Sequence, residues 1–280
     1  MFMTDHPKRS FLRLVLAALV TTAASRAVAA DAINYQSVLA ARSSALVTVK
    51  FVLKLKMGGM MGGMGDQETD TEITGVVIDP KGVVLCSNTQ LGGFTALLSR
   101  MMGPMGGSLT ATPTDLKVLV GDDTDGVEAK LIARDTELDL AWVKMNEAPE
   151  KALAHVDFSK AARPKVGDHV VGIRRMGKYF ARQAIVIEGR IGGTVNKPRD
   201  LYVPSLAIAT AQGLPVFTAD GRVIGVTIMQ MPESDDAAPN PLAMLSSLTG
   251  MQEMMSGLIL PAADVMKATK RALASAEDEE

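Results

Sequence analysis

Short runs rich in valine and isoleucine recur along most of this chain, and turn-forming residues separate them. Many short strands at such spacing are typical of a β-barrel or a β-sandwich. The clearest turns are Asp79-Pro80-Lys81-Gly82, Gly121-Asp122-Asp123 and Asp220-Gly221. The predicted strands are 45–55, 71–79, 82–86, 115–119, 126–133, 140–145, 169–173, 182–191, 206–210 and 222–229. Helical spacing occurs only at 33–42 and 261–274, so the sequence predicts an all-β fold.

The first thirty residues have a different character from the rest. Lys8, Arg9 and Arg13 form a basic start, residues 14–24 are apolar, and small residues fill 27–30. This order is typical of a secretory signal peptide. The apolar stretch is short for a membrane span. The sequence therefore predicts export to a periplasm or to the medium, and an uncleaved anchor is the alternative.

The charge balance argues against nucleic-acid binding, and the cysteine content excludes an internal disulfide. The chain has 29 Lys+Arg and 31 Asp+Glu, and removing residues 1–30 takes away four basic residues and one acidic one, leaving a net charge of about −5. A nucleic-acid-binding surface needs a basic excess, so none is expected. Cys86 is the single cysteine and cannot form an internal disulfide. No cofactor is expected.

Five sequence blocks follow one another in an informative order. They are T-G-V-V-I-D-P-K-G-V-V-L-C-S-N-T (74–89), A-K-L-I-A-R-D-T-E-L-D-L-A-W-V-K-M (129–145), K-V-G-D-H-V-V-G-I (165–173), T-A-Q-G-L-P-V-F-T-A-D-G-R-V-I-G-V (210–226) and L-I-L-P-A-A-D-V-M-K (258–267). From about residue 45 to 270, the chain thus resembles trypsin-like serine proteases of the HtrA/DegP type.

The resemblance implies a chymotrypsin-type double β-barrel with a short C-terminal helix. The expected divisions are a signal peptide at 1–30, an N-terminal barrel with Met/Gly-rich loops at 31–150, a C-terminal barrel with the terminal helix at 151–275, and an acidic tail at 276–280. Proteases of this type often continue into a PDZ domain, and no PDZ domain is expected here.

The resemblance also marks where catalytic residues would lie. Amide hydrolysis by this fold needs a hydroxyl nucleophile, an imidazole base, a buried carboxylate and backbone N–H groups that bind the oxyanion. The carboxylate position holds Asp139, but the base position holds Thr89 and the nucleophile position holds Gln212. Thr210 replaces the glycine of the oxyanion site. We therefore expect no catalytic residues, and a buried Asp139 that accepts hydrogen bonds, one of them from Thr89.

Other residues could in principle replace the missing chemistry. After residue 30 the chain has only two histidines, His155 and His169. The first is expected to be exposed, and the second to be packed within a strand. Cys86 is expected to be a small buried apolar residue, because a thiol without a base is unreactive. A relocated catalytic site is the alternative.

Methionine-rich segments interrupt the strand pattern. They are M-G-G-M-M-G-G-M-G (57–65), M-M-G-P-M-G-G (101–107) and a third segment within 229–255. Such segments serve as adaptable contact surfaces. Thioether sulfur also suits Cu(I), and the weak candidate ligands are Met57, Met60, Met61, Met64, Met102 and Met105. Contact surface is the favoured interpretation, with the three segments gathered around the cleft.

The combined prediction is an exported pseudoprotease that binds a peptide or protein in its degenerate cleft or through its methionine-rich loops. Two alternatives remain, an active HtrA-like endopeptidase and a copper-handling protein. Two assemblies remain as alternatives, a homo-oligomer and a complex with an active relative. No nucleic-acid partner and no stable membrane span after cleavage are expected.

Overall fold

A computed structural model describes residues 33–58, 66–95, 109–230 and 257–278 of the protein. Contacts along the chain separate Met1–Asn34 from Tyr35–Glu280. Only residues 33 and 34 of the first unit are described. The second unit contains all the strands and helices presented below.

The first six strands close into an antiparallel barrel in the order β1-β2-β3-β6-β5-β4. The strands are β1 (Leu46–Met57), β2 (Gln67–Asp79), β3 (Val83–Ser87), β4 (Leu109–Leu119), β5 (Val127–Asp135) and β6 (Leu140–Met145). Helix α1 (Tyr35–Arg42) precedes them. Closure leaves no unpaired sheet edge, which satisfies the backbone groups of every strand.

The next six strands close a second barrel in the order β10-β11-β12-β9-β8-β7. They are β7 (His169–Arg175), β8 (Ala184–Val195), β9 (Leu201–Pro204), β10 (Pro215–Thr218), β11 (Val223–Met229) and β12 (Gly257–Pro261). Helix α2 (Leu206–Ala209) lies between β9 and β10, and helix α3 (Ala262–Asp278) follows β12. The predicted all-β double barrel with a C-terminal helix is therefore confirmed.

Strand β3 shows how alternating side chains serve two cores. Val84 and Cys86 pack inside the first barrel. Val83 and Leu85 face the opposite way, into an apolar cluster shared by both barrels and α3. Successive side chains of a strand point to opposite faces. Both faces of β3 are therefore buried, which explains its unbroken apolar sequence.

Helix α3 closes the apolar cluster shared by the two barrels. Val265, Ala268 and Ala272 are its buried face. The Trp142 ring of β6 reaches the helix, and its Nε1 donates a 3.1 Å hydrogen bond to Thr269 Oγ1. The helix continues to Asp278, past the predicted end at 274, and includes residues 276–278 of the segment predicted as a tail.

The strand predicted at 206–210 is wrong, because Leu206–Ala209 forms helix α2. The strand of this region is Leu201–Pro204, which pairs with β8. A run of four apolar residues and a threonine does not distinguish a short strand from a helical turn. Here the carbonyl of Ser205 accepts hydrogen bonds from the N–H groups of Ile208 and Ala209, which starts the helical turn.

Polar contacts fix the second barrel on the first. The Arg175 guanidinium donates to the carbonyl oxygens of Ser43, Leu46 and Gly121, at 3.2, 2.6 and 3.3 Å. Arg182 forms a two-pronged ion pair with Glu72, at 2.7 and 3.2 Å. Arg175 is the last residue of β7 and Arg182 follows the strand. This end of the second barrel is therefore anchored on β1 and β2.

The methionine hypotheses lie almost wholly outside the described residues. Met60, Met61, Met64, Met102 and Met105 are not described, and Met57 is described only as the last residue of β1. Elsewhere in the described ranges, no group of three or more His, Cys, Asp or Glu side chains is placed to hold a metal ion. None of the helices among the described residues is both long and apolar enough to cross a membrane.

Candidate functional site

Asp139 is a buried carboxylate at the junction of the two barrels. It directly precedes β6, has a φ of 54° and is 2% exposed. Its carboxylate accepts from the Thr89 N–H at 2.7 Å, the Met229 N–H at 3.0 Å and the Ser87 hydroxyl at 3.1 Å. Thr89 belongs to the first barrel and Met229 to the second, so one side chain ties both together.

Burial raises the pKa of Asp139 above its ordinary value, and the hydrogen bonds from Met229, Thr89 and Ser87 act in the opposite direction. Both carboxylate oxygens accept hydrogen bonds from within the fold. These contacts give Asp139 an architectural role.

Thr89 begins a tight turn, Thr89–Gly93, immediately after β3. Arg134 Nη1 holds the Asn88 side chain at 2.6 Å, and the Asn88 N–H donates to the backbone oxygen of Asp139 at 3.1 Å. A Cβ at Gly93 would lie 2.4 Å from Asn88 Nδ2, so the turn requires glycine there. The backbone at Thr89 is thus fixed beside Asp139, and the side chain it presents is a hydroxyl.

Gln212 lies on a loop that a buried threonine holds in shape. The hydroxyl of Thr227 donates to the backbone oxygen of Ala211 and accepts from the Leu214 N–H at 3.0 Å. Gly213 has a φ of 74°, and a Cβ there would meet Ser87 at 2.9 Å. The loop therefore packs directly on the end of β3. The fold brings Gln212 to the same place as Thr89 and Asp139.

The backbone N–H of Thr210 is already used. It donates at 3.1 Å to the carbonyl oxygen of Leu206, closing the last turn of α2. The Thr210 hydroxyl bonds Ala207 O at 3.0 Å. An oxyanion site needs backbone N–H groups that point at the ligand. In this conformation the N–H of Thr210 points into its own helix.

A cavity of about 260 Å³ opens beside Gln212, between the two barrels. The first barrel contributes β1, β2 and the turn after β3, and the second contributes the end of β7 and the loop at 210–214. Its lining residues are Thr48, Glu72, Ile73, Thr74, Gln90, Arg174, Arg175, Met176, Gly177, Thr210, Ala211, Gln212 and Leu214. We call this cavity the interbarrel cleft.

The two histidines are engaged away from the cleft. His155 is exposed and its Nδ1 lies 3.3 Å from Leu153 O. His169 is half-buried at the start of β7, with its Nδ1 3.4 Å from the Glu188 carboxylate. The polar contacts of the two rings are therefore with a backbone carbonyl and a carboxylate.

Cys86 is a buried apolar residue within the first barrel. Its thiol is fully buried, and burial raises its pKa to about 12. A thiol that stays protonated is a poor nucleophile. This position agrees with the expected structural role.

Sequence reasoning did not identify several residues that shape the site. Ser87 and Met229 supply hydrogen bonds to Asp139, and Thr227 supports the Gln212 loop. Arg174 and Thr48 line the interbarrel cleft. The one available signal was the adjacent pair Arg174-Arg175, two charges at the end of an otherwise apolar strand.

Comparisons with known proteins agree with this geometry. A family model described as a trypsin-like peptidase domain matches residues 73–226. A probable periplasmic serine endoprotease, DegP-like, from Pseudomonas savastanoi pv. phaseolicola is 26% identical over 172 residues, which cover 59% of this chain and 30% of the relative. A DegP-like relative from Bartonella henselae is 31% identical over 116 residues, which cover 40% of this chain and 22% of the relative.

A solved structure of an HtrA-type protease with a tripeptide has the same fold. It superposes with a TM-score of 0.50 at 17% identity, over 85% of this chain and 63% of that one. The chain spans less than a third of the length of the two DegP-like relatives above. The matched range includes Asp139 and the three positions where a catalytic or oxyanion residue is replaced, which are Thr89, Thr210 and Gln212. The chain belongs to the trypsin-like peptidase family, with HtrA/DegP-like proteases among its relatives.

Proposed function

We propose that this protein is a pseudoprotease that binds an extended peptide or protein segment in the interbarrel cleft without cleaving it. The observation that carries the proposal is the arrangement around Asp139. The carboxylate, the turn at Thr89 and the loop at Gln212 are all held in place, yet the last two present a hydroxyl and an amide.

The chemistry of those side chains argues against hydrolysis. A threonine hydroxyl at position 89 cannot take a proton from a nucleophile near neutral pH. The Gln212 amide is not a nucleophile that a neighbouring base can activate. The Thr210 N–H donates within α2, so this backbone donor does not point at a tetrahedral oxyanion. A base, a nucleophile and one oxyanion donor therefore fail together.

Binding needs less than catalysis does. A cleft with fixed walls and a few polar groups can hold a peptide, because affinity comes from contacts in the ground state. The HtrA-type structure of the same fold was solved with a tripeptide. We propose that peptide binding is the property this chain keeps.

The experiment joins an activity probe to a binding measurement. A fluorophosphonate labels activated serines, and we expect no labelling and no cleavage of unfolded β-casein by the full chain. We expect labelled β-casein to bind, and Gln212→Trp to weaken this binding at least about tenfold by filling the cleft. Val166→Trp is the control, because Val166 is 62% exposed and precedes the far end of β7.

Two results would overturn the proposal. Serine labelling with casein cleavage would restore the endopeptidase alternative. Equal casein binding by the wild type and Gln212→Trp would move the binding site away from the cleft.

We also propose that the protein is exported and processed near residue 30. The basic, apolar and small-residue order of the first thirty residues supports this. The DegP-like relatives are described as periplasmic. Expression of the full chain should yield a periplasmic or secreted form whose mass lacks about the first 30 residues. A full-length mass in the membrane fraction would contradict processing.

A further inference from the structure

Two neighbouring arginines border the interbarrel cleft, and they have different surroundings. Arg175 is half-buried, and its guanidinium donates to Ser43, Leu46, Gly121 and Arg182 carbonyls. Arg174 is exposed, and its Nη2 lies 3.8 Å from Met176 Sδ. Among the described residues, no carboxylate forms an ion pair with Arg174. One arginine is therefore committed to the fold and the other faces the cleft with its charge uncompensated.

The carboxylate of the cleft does not offset this charge. Glu72 lines the cavity, but both of its oxygens are taken by Arg182, whose side chain is 6% exposed. A carboxylate held by a two-pronged arginine contributes little net charge to its surroundings. The charge of Asp122 acts on Arg175, so Arg174 is the charge that leaves the cleft with a positive excess.

A buried hydroxyl also lines the cleft. Thr48 is 3% exposed, and its Oγ1 has no hydrogen-bond partner among the described residues. The residue opposite Thr48 on the neighbouring strand β2 is Thr74. The Thr74 hydroxyl accepts from the Arg175 N–H at 3.1 Å. A buried hydroxyl without a partner is costly, and an oxygen brought by a ligand would satisfy it.

We infer that the interbarrel cleft binds a carboxylate carried by a peptide segment, with Arg174 as its charged partner and the Thr48 hydroxyl as a neutral donor. This inference rests on the proposed function, since it names what the bound segment must contain. The cavity of about 260 Å³ accepts one acidic side chain or one chain terminus. Drug-sized ligands occupy pockets of roughly 300 Å³ and more.

Three labelled peptides separate the sources of the carboxylate. Each is a heptapeptide of alanine, valine and serine with one variable central position, labelled at its N-terminus with an uncharged boron-dipyrromethene dye. The first has a central glutamine and an amidated C-terminus, and carries no carboxylate. The second has a central glutamate and an amidated C-terminus. The third has a central glutamine and a free C-terminal carboxylate. Fluorescence polarisation measures the binding of each to the full chain.

We expect at least one carboxylate peptide to bind about tenfold or more tightly than the neutral peptide, because the hydrogen bond to Arg174 is charge-assisted. Arg174→Gln should remove this difference, so that the ratio of the carboxylate-peptide affinity to the neutral-peptide affinity falls to about one. Lys178→Gln removes the same charge from the exposed turn after β7, outside the cleft lining. This control should keep the difference.

Thr48→Val provides an independent arm. It keeps the branched shape of the side chain and removes only the hydroxyl. We expect it to lower the ratio of the favoured carboxylate-peptide affinity to the neutral-peptide affinity about threefold or more. Circular dichroism confirms that each variant is folded.

The outcomes distinguish this inference from the function on which it rests. If all three peptides bind with equal affinity, the cleft binds peptides but has no carboxylate site, and the inference is wrong. The same holds if Lys178→Gln matches the effect of Arg174→Gln. If neither the peptides nor β-casein binds, the proposed function itself is wrong.

Discussion

Asp139 has a structural role at the junction of the two barrels. Its carboxylate accepts from Ser87, Thr89 and Met229, three donors that come from two barrels. Without this carboxylate, the three buried donors would have no hydrogen-bond partner. An unpaired buried donor costs more free energy than a hydrogen bond contributes. This explains how an aspartate can persist where neither a base nor a nucleophile accompanies it.

The titration of Asp139 gives a prediction with a definite sign. Burial raises its folded pKa above the ordinary 3.8. The folded state therefore holds the proton more tightly than the unfolded chain does, and this contribution is present below 3.8 and lost as pH rises through the folded pKa. The stability of the wild type relative to Asp139→Asn should fall as pH rises from about 4, then level off. Urea unfolding of both proteins measures this.

Asp157 is the matched control, because its pKa shift has the opposite sign. Hydrogen bonds from Ser159 and Lys160 lower its pKa to about 2. Its contribution is present above 3.8 and lost as pH falls toward 2. The wild type should therefore lose stability relative to Asp157→Asn on acidification. Equal slopes for the two aspartates would contradict the assignment at Asp139.

Two buried threonines should respond oppositely to the same substitution. Thr48 and Thr227 are 3% and 0% exposed, but only the Thr227 hydroxyl has hydrogen-bond partners among the described residues. Thr48→Val should raise the free energy of unfolding by about 1 kcal/mol, because an unsatisfied polar group is removed. Thr227→Val should lower it by about 1–3 kcal/mol, because Ala211 O and the Leu214 N–H lose their partner. Destabilisation by Thr48→Val would show a hidden partner for Thr48.

At the level of elements, the loop at 210–214 is held in shape by β11 and by its contact with the end of β3. Thr227 bonds it from β11, and Gly213 lets it approach Ser87 closely. The positive φ of Gly213 is a conformation that a Cβ penalises. The shape of the loop around Gln212 therefore depends on the Thr227 hydroxyl and on glycine at position 213.

Substituting that glycine tests the close approach. Gly213→Ala adds a Cβ 2.9 Å from Ser87, whereas a Cβ at Gly121, with a φ of 66°, meets nothing within 4 Å. Gly121→Ala should cost about 1–2 kcal/mol of unfolding free energy for its backbone conformation alone. Gly213→Ala should cost at least about 1 kcal/mol more, because the backbone cost is joined by overpacking. Similar losses measured by urea unfolding would mean that the loop is free to move away from β3.

Sequence patterns predicted the strands well where both faces are buried. The continuous apolar runs of β3 and β6 gave their positions within one residue, because such runs occur wherever a strand separates two cores. The run at 206–210 predicts a strand because four apolar residues and a threonine carry no period that separates a strand from a helical turn. The hydrogen bonds of the Ser205 carbonyl decide the helix, and they depend on the tertiary path of the chain.

At the level of the whole molecule, the cleft exists because the two barrels pack against each other and each contributes one wall. Its walls come from β1 and β2 on one side and from the end of β7 on the other. The resemblance of five sequence blocks predicted the double barrel and the positions of Asp139 and Gln212. It could not predict the cleft lining, because Arg174 and Thr48 are about 125 residues apart and meet only after both barrels close.

The two arginines at the end of β7 should separate stability from binding. Arg175→Gln removes the charged donor from backbone carbonyls of Ser43, Leu46 and Gly121, groups that hold the barrels together. We expect this to lower the free energy of unfolding by about 2–4 kcal/mol, because half-buried carbonyls lose a charged partner. Arg174→Gln removes an exposed charge and should change it by less than about 0.5 kcal/mol.

Urea unfolding followed by tryptophan fluorescence measures both variants, since Trp142 lies in the cluster that the barrels share. The second arm is carboxylate-peptide binding, measured under conditions in which Arg175→Gln remains folded. There, Arg174→Gln should lose the preference for the carboxylate and Arg175→Gln should retain most of it. If the two substitutions cost equal stability and equal binding, the cleft and the barrel interface are one structural unit. The division of roles between these neighbouring residues would then be wrong.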